Sequence, residues 1–172
     1  KAMAVNLSDL AAMGATPIGC LLGLALPRVS EDWVQAFADG FYSLCDQYNC
    51  PLIGGDTTRS QKDIAISVTV FGAVDPAHTM RRSQALPGDD VWISGYLGAA
   101  DIACSMLLGQ MTKDANLLDR IRVALEQPIP RIELGQMLSK YVHAAIDVSD
   151  GLVQDLGHIL KASQCGAELY ES

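Results

Sequence analysis

The sequence predicts a mixed α/β (α+β) protein built in two parts, and three observations carry that reading. Apolar residues recur at helical spacing in several separate stretches. Short apolar or alternating runs lie between those stretches and read as strands. A segment from Asp75 to Asp90, holding Pro76, Arg81, Arg82, Pro87 and Gly88, interrupts the pattern and marks the best boundary between parts. The 172 residues suit one ordinary domain or two small ones. Hydrophobic residues make up 49% and the mean hydropathy is +0.20, enough for a packed core rather than disorder.

The first part opens with a helix over residues 1–13, whose apolar face is Ala4, Leu7 and Ala11 and whose stop is Gly14. Asn6 and Asp9 fall on another face of it. The chain begins with Lys1 and is at once helix interior, so the native start is expected upstream and nothing follows about a targeting segment. Ile18 to Leu26 is the longest apolar run; it reads as a buried strand and is too short to span a bilayer. Ser30 caps the next helix, with Glu31 and Asp32 in its first turn, where the dipole favours anions. Its apolar positions are Val34, Phe37, Phe41, Leu44, Cys45 and Tyr48, and Pro51 closes it. Residues 54–59 read as a loop, and Ile64, Ile66, Val68 and Val70 as a strand of period two.

The second part is expected to start with a strand at residues 91–94. The turn over residues 95–98 then opens a helix to about Leu108. Helices follow at 115–125 and 130–141, with Pro130 suited to a first helical position. Residues 144–148 read as a strand, and Ser149-Asp150-Gly151 turns into a helix with Leu152, Leu156, Ile159 and Leu160 on its apolar face. Gly166 should end that helix, with a new strand from Ala167.

Charge narrows the function. Lys and Arg total 12 against 20 Asp and Glu, a formal charge of −8. Such a surface repels nucleic acid and anionic membranes, which need clustered cations. A phosphate ligand would need metal ions or a few well-placed Arg and Lys. The five cysteines are scattered and form no C-x-x-C pair, which suits buried free thiols in a reducing cytosol and hence a cytoplasmic protein.

Three polar clusters interrupt apolar elements: Asn6-Leu7-Ser8-Asp9, Gly54 to Arg59, and Asp147-Val148-Ser149-Asp150-Gly151. A hard cation such as Mg²⁺ takes carboxylate oxygens and water and bridges to substrate phosphates. Asp9, Asp56, Asp147 and Asp150 offer such oxygens, while Gly54 and Gly55 allow close backbone approach to a ligand. Each residue alone has a plainer reading. Asp9 would be solvated helix surface, residues 54–58 an ordinary turn, and Asp150 an N-cap. Together they share a composition suited to metal and phosphate. Walker, dinucleotide-binding and nucleophile-elbow motifs are missing, and His78, His143 and His158 lack the H-E-x-x-H context.

The stretch Ala4 to Ala15 resembles the signature helix of thiamine-monophosphate kinases. Leu52 to Arg59 resembles their second motif. Ile146 to Leu152, with Asp155-Leu156-Gly157-His158-Ile159, resembles a third, in the same order along nearly the whole chain. The wider superfamily of aminoimidazole ribonucleotide synthetase and selenophosphate synthetase shares the general plan.

The resemblance implies a two-domain aminoimidazole ribonucleotide synthetase-like fold. Residues 1–82 would be part of an N-terminal ATP-binding domain that pairs through its sheet in a homodimer. Residues 83–172 would be part of a C-terminal domain, and both would be incomplete. It implies ATP-dependent phosphorylation of thiamine monophosphate to thiamine diphosphate. Asp9, Asp56, Asp147 and Asp150 would hold Mg²⁺, and Gly55, Arg82 and Ser149 would contact ATP or its phosphates. The substrate phosphate would attack the γ-phosphate directly, with no catalytic side-chain nucleophile. The family's upstream Gly-Asp-Asp motif, Thr-Asp element, downstream Gly-Glu-Asp-Tyr-Glu segment and late thiamine-binding aromatic do not occur. Two rival readings are an enzyme of the same superfamily acting on another acceptor, and a non-catalytic nucleotide-binding or dimerisation module.

Overall fold

The computed structural model describes residues 1–170. It divides into two compact units, the first made of residues 2–79 and 130–140, the second of residues 80–129 and the stretch from Tyr141 onward.

In the first unit, helix α1 (Ala2–Ala12) buries Met3, Ala4, Leu7 and Ala11. Gly14, at φ +70°, ends it: its amide bonds to the Ala11 carbonyl and that of Ala15 to the Leu10 carbonyl, a Schellman closure. Strand β1 (Thr16–Leu26) is the centre of a three-stranded sheet. Helix α2 (Glu31–Gln47) supplies the crossover that a parallel pairing of β1 with β2 (Leu52–Arg59) requires. Strand β3 (Ala65–Ala73) pairs antiparallel on the other side of β1. One sheet face carries Cys20, Leu22, Leu52, Val68 and Val70 and packs with Met3, Leu7, Phe41, Cys45 and Cys50 into the core.

Two expectations change here. Residues 54–59 are part of a strand, not a loop: two glycines and an Asp suggest turn chemistry, but the ladder to β1 decides the conformation. Helix α2 stops before Pro51 acts, because Asn49 adopts φ +49° and the Cys50 amide bonds to the Cys45 carbonyl. Ser30 does sit at the N-cap of α2, without a side-chain capping bond.

A helix from the far part of the sequence completes this unit. It is numbered α5 after α3 (Ala99–Leu107) and α4 (Ala115–Glu126), and spans Ile132–Leu138. Arg131 is its N-cap, so Pro130 lies one residue ahead of it rather than at its first position. Gly135 lets α5 press on α1: a Cβ there would overlap the Ala11 carbonyl oxygen and lie 2.9 Å from its carbon. Gly135→Ala should gain ~1 kcal/mol of helix propensity. Overlap with a rigid backbone carbonyl costs about 3 kcal/mol and wins. A lower urea midpoint at unchanged slope is the expected result, and an unchanged midpoint would contradict it. At Gly72 the tight neighbour is the flexible end of Leu10, at 2.9 Å, so Gly72→Ala should cost less.

In the second unit α3 and α4 bury Ala103, Met106 and Leu118 against each other. Asp114 caps α4, its Oδ1 accepting the Leu117 amide at 3.0 Å. Helix α6 (Leu152–Ser163) begins after Gly151 and ends at Gln164, φ +55°, two residues before the expected Gly166. Residues 91–94, 144–148 and 167–170 are not strands. The first two alternate or run apolar as strands do, but a strand also needs a hydrogen-bonded neighbour. The rest of the strand expected from Ala167, residues 171–172, lies outside the described residues.

Candidate functional site

The first unit presents Asp9, Asp56 and Gly55. Asp9 is exposed on α1, away from the face that holds Met3, Ala4, Leu7 and Ala11. Asn6, three residues earlier, donates from its side chain to the Ala2 carbonyl at 2.8 Å. Asp56 pairs with Gly23 in the β2–β1 ladder, and Gly23 with Ser67 in the β1–β3 ladder. Side chains alternate across a sheet, so Asp56 lies on the face opposite the core. Gly54, Thr58, Leu21, Ala25 and Thr69 share that face by register. Ile53 at 62% exposure and Phe71 at 39% add open apolar surface to it.

Gly55 has φ +150°, and an added Cβ would overlap the Leu22 carbonyl and lie 2.8 Å from its carbon. The close backbone approach expected there is therefore made to the neighbouring strand. A cleft of about 400 Å³ in this unit, between Thr16, Asp75, His78, Gln136 and Lys140, includes none of the predicted ligands.

The second unit presents Arg82, Asp147, Ser149 and Asp150. Ser163, near the end of α6, donates its hydroxyl to the Arg82 carbonyl at 2.7 Å and accepts the Ala85 amide at 3.0 Å. This clamps the backbone that carries the exposed Arg82 guanidinium. Asp147 is half-buried, while Ser149 and Asp150 are exposed. Asp150 is not the N-cap of α6; Gly151 holds that place, at φ +123°. The Asp150 carboxylate instead accepts a 3.1 Å bond from Gln154 Nε2.

Sequence reasoning missed the organiser of this turn. Asp155 is buried, and its Oδ2 accepts the amides of Ser149, Asp150 and Gly151 at 3.0, 3.1 and 3.1 Å. An acid in the first turn of a helix, just after a Ser-Asp-Gly turn, was the available signal. Elsewhere in the unit, His143 Nδ1 lies 2.9 Å from Asp89 Oδ1. The Leu86 amide, and then His143, hold the Asp89 carboxyl below its ordinary range.

All four acidic candidates offer hard oxygen donors, which fits a divalent cation such as Mg²⁺. Among the described residues no three Asp, Glu, His or Cys side chains are grouped closely enough to hold a metal ion by themselves. Phosphate oxygens and water ordinarily complete such a shell.

The cysteines are all free. Burial pushes the Cys20 and Cys50 thiols up to about 11 and raises that of Cys45. Cys20 Sγ donates to the Cys50 carbonyl at 3.8 Å. The thiolate is the reactive form. Iodoacetamide at pH 8 should therefore label the half-buried Cys104 and Cys165 first, as read by peptide mapping. Labelling of Cys20, Cys45 or Cys50 at the same rate would contradict the burial argument.

Comparison with known proteins bears on the fold. Residues 1–74 match the model of the AIR synthase related protein, N-terminal domain. The sheet with its helices is thus similar to that N-terminal domain. Over its length the chain is similar to thiamine-monophosphate kinases. It is 44% identical to the enzyme of that name from Salmonella typhimurium, over 98% of this chain and 52% of the relative. A crystal structure of thiamine-monophosphate kinase from Stenotrophomonas maltophilia K279a superposes with a TM-score of 0.86 at 48% identity, over 94% of this chain and 52% of that one. AaThiL complexed with AMPPCP and TMP gives 0.84 at 32% identity, over 93% and 51%. The chain spans about half the length of the curated relatives it matches.

Proposed function

We propose that the protein containing this chain phosphorylates thiamine monophosphate to thiamine diphosphate, using ATP and Mg²⁺. The observation that carries this reading is the likeness to AaThiL, a protein solved with AMPPCP and TMP, at 32% identity along nearly the whole chain. Residues 1–82 belong to the ATP-binding domain and residues 83–172 to the C-terminal one, apart from α5, which packs on α1 of the first unit.

Asp9, Asp56, Asp147 and Asp150 hold Mg²⁺, which when bound neutralises charge on the phosphate oxygens. Arg82 pairs with a phosphate through its planar guanidinium. Ser149 contributes through its hydroxyl, since its amide is taken by Asp155. Gly55 keeps β2 against β1, so that the neighbouring Asp56 and the backbone beside the nucleotide stay in register. Thiamine monophosphate already presents an anionic oxygen, so no side chain acts as nucleophile. Catalysis then rests on holding the two phosphates in line.

A second copy of the chain covers the open sheet face, where Ile53, Leu21 and Phe71 are exposed around Gly19. The protein acts in the cytoplasm, where free thiols persist. Among the described residues no helix is long and apolar enough to cross a membrane.

The test assays the complete encoded protein with ATP and Mg²⁺ against thiamine monophosphate, aminoimidazole precursors and selenide. Thiamine diphosphate as the sole product supports the reading; turnover of another acceptor, or nucleotide binding without ADP release, overturns it. Light scattering that gives a monomer at micromolar concentration would overturn the dimer.

A further inference from the structure

Among the described residues Asp155 stands apart from every other acid, being the one buried polar or charged side chain, at 3% exposure. A carboxylate so buried is costly unless its oxygens are hydrogen-bonded. Here three successive amides converge on a single oxygen, Oδ2, at 3.0, 3.1 and 3.1 Å. The turn they belong to, residues 149–151, leads directly into α6. Amides placed like this ahead of a helix ordinarily offer themselves to a phosphate. In this chain an internal carboxylate has taken them. What the turn can present to a ligand is then set by its side chains, the Ser149 hydroxyl and the Asp150 carboxylate, with Asp147 two residues before.

We propose that Asp155 is a positioning residue: by holding the three amides of the 149–151 turn inward, it fixes Asp150 toward a divalent cation and closes the turn to direct phosphate binding. This deepens the proposed function and rests on its metal reading. Without the Asp155 carboxylate the three amides lose their common acceptor. The turn then has no reason to keep its shape, and the Asp150 carboxylate loses its fixed direction. Partners that orient metal ligands typically contribute about 10- to 100-fold in metal affinity.

The experiment compares wild type, Asp155→Ala and Asp155→Asn in the complete encoded protein. Hydrogen exchange of the 149–151 amides is read by mass spectrometry without metal, and Mn²⁺ affinity by electron paramagnetic resonance. Asp155→Ala should lose amide protection and bind Mn²⁺ at least about tenfold more weakly. Asp155→Asn keeps an acceptor oxygen of the same size, so amide protection and Mn²⁺ affinity should both stay close to wild type. Unchanged Mn²⁺ affinity in Asp155→Ala overturns the positioning role alone. Should Asp155→Ala fail to fold, Asp155→Asn decides: intact amide protection with Mn²⁺ affinity lost would make Asp155 a ligand itself and overturn the proposal. Wild-type protein that protects the amides but binds no Mn²⁺ overturns the metal reading, and the proposal with it.

Discussion

Asp150→Asn, made in the complete encoded protein, is expected to lose at least about 100-fold in turnover at limiting Mg²⁺ while unfolding at the wild-type urea midpoint. The magnitude follows from comparison: groups that merely orient a metal ligand contribute about 10- to 100-fold in affinity, so loss of a ligand's own charge should exceed that. The unchanged stability follows from the geometry. Asp150 is exposed and Gly151, not Asp150, occupies the N-cap of α6. Its 3.1 Å contact with Gln154 Nε2 is a surface bond that an Asn oxygen can also accept. The turn itself is held through the Asp150 main chain, which the substitution leaves in place. Turnover near wild type would reduce Asp150 to solvated surface.

Gly55→Ala is expected to act in the opposite way, removing stability before it touches ligand binding. At φ +150° an L side chain is strained by about 1–3 kcal/mol. The new Cβ would also overlap the Leu22 carbonyl in the middle of the β1–β2 ladder. The neighbour is backbone, so relief means shifting a strand, and the combined cost should be about 3 kcal/mol or more. Urea unfolding followed by circular dichroism, with no nucleotide present, reads this directly. A Gly55→Ala protein as stable as wild type but unable to bind nucleotide would make Gly55 a ligand contact only.

How far the sequence reveals this molecule depends on where the deciding interaction lies. Helices α1 and α2 follow from apolar spacing, because each buries one face near in sequence to its own signals. Strands β1 and β3 are equally visible as apolar or alternating runs. β2 is hidden because Gly54, Gly55 and Asp56 look like turn residues, and only pairing with Leu21, Leu22 and Gly23, 33 residues earlier, makes them extended. The misread segments 91–94 and 144–148 show the converse: apolar alternation without a ladder does not make a strand. Helix ends at Asn49 and Gln164 were obscured because non-glycine residues took the left-handed conformation usually expected of glycine. The acidic candidates were all legible as types. Asp155 was harder to read: its place in the first turn of α6 marked it, but only the fold shows its carboxylate accepting the three amides of the preceding turn.

The central claim is direct, metal-dependent transfer of the γ-phosphate to thiamine monophosphate, and tracing that phosphate tests it most directly. The complete encoded protein is incubated with γ-³²P-labelled ATP, thiamine monophosphate and Mg²⁺, and the label is followed into small molecules and into acid-precipitated protein. The account predicts label in thiamine diphosphate in step with ADP release, none on the protein, and no transfer when Mg²⁺ is chelated. Label retained on the protein as a competent intermediate, or undiminished transfer without the metal, would contradict it.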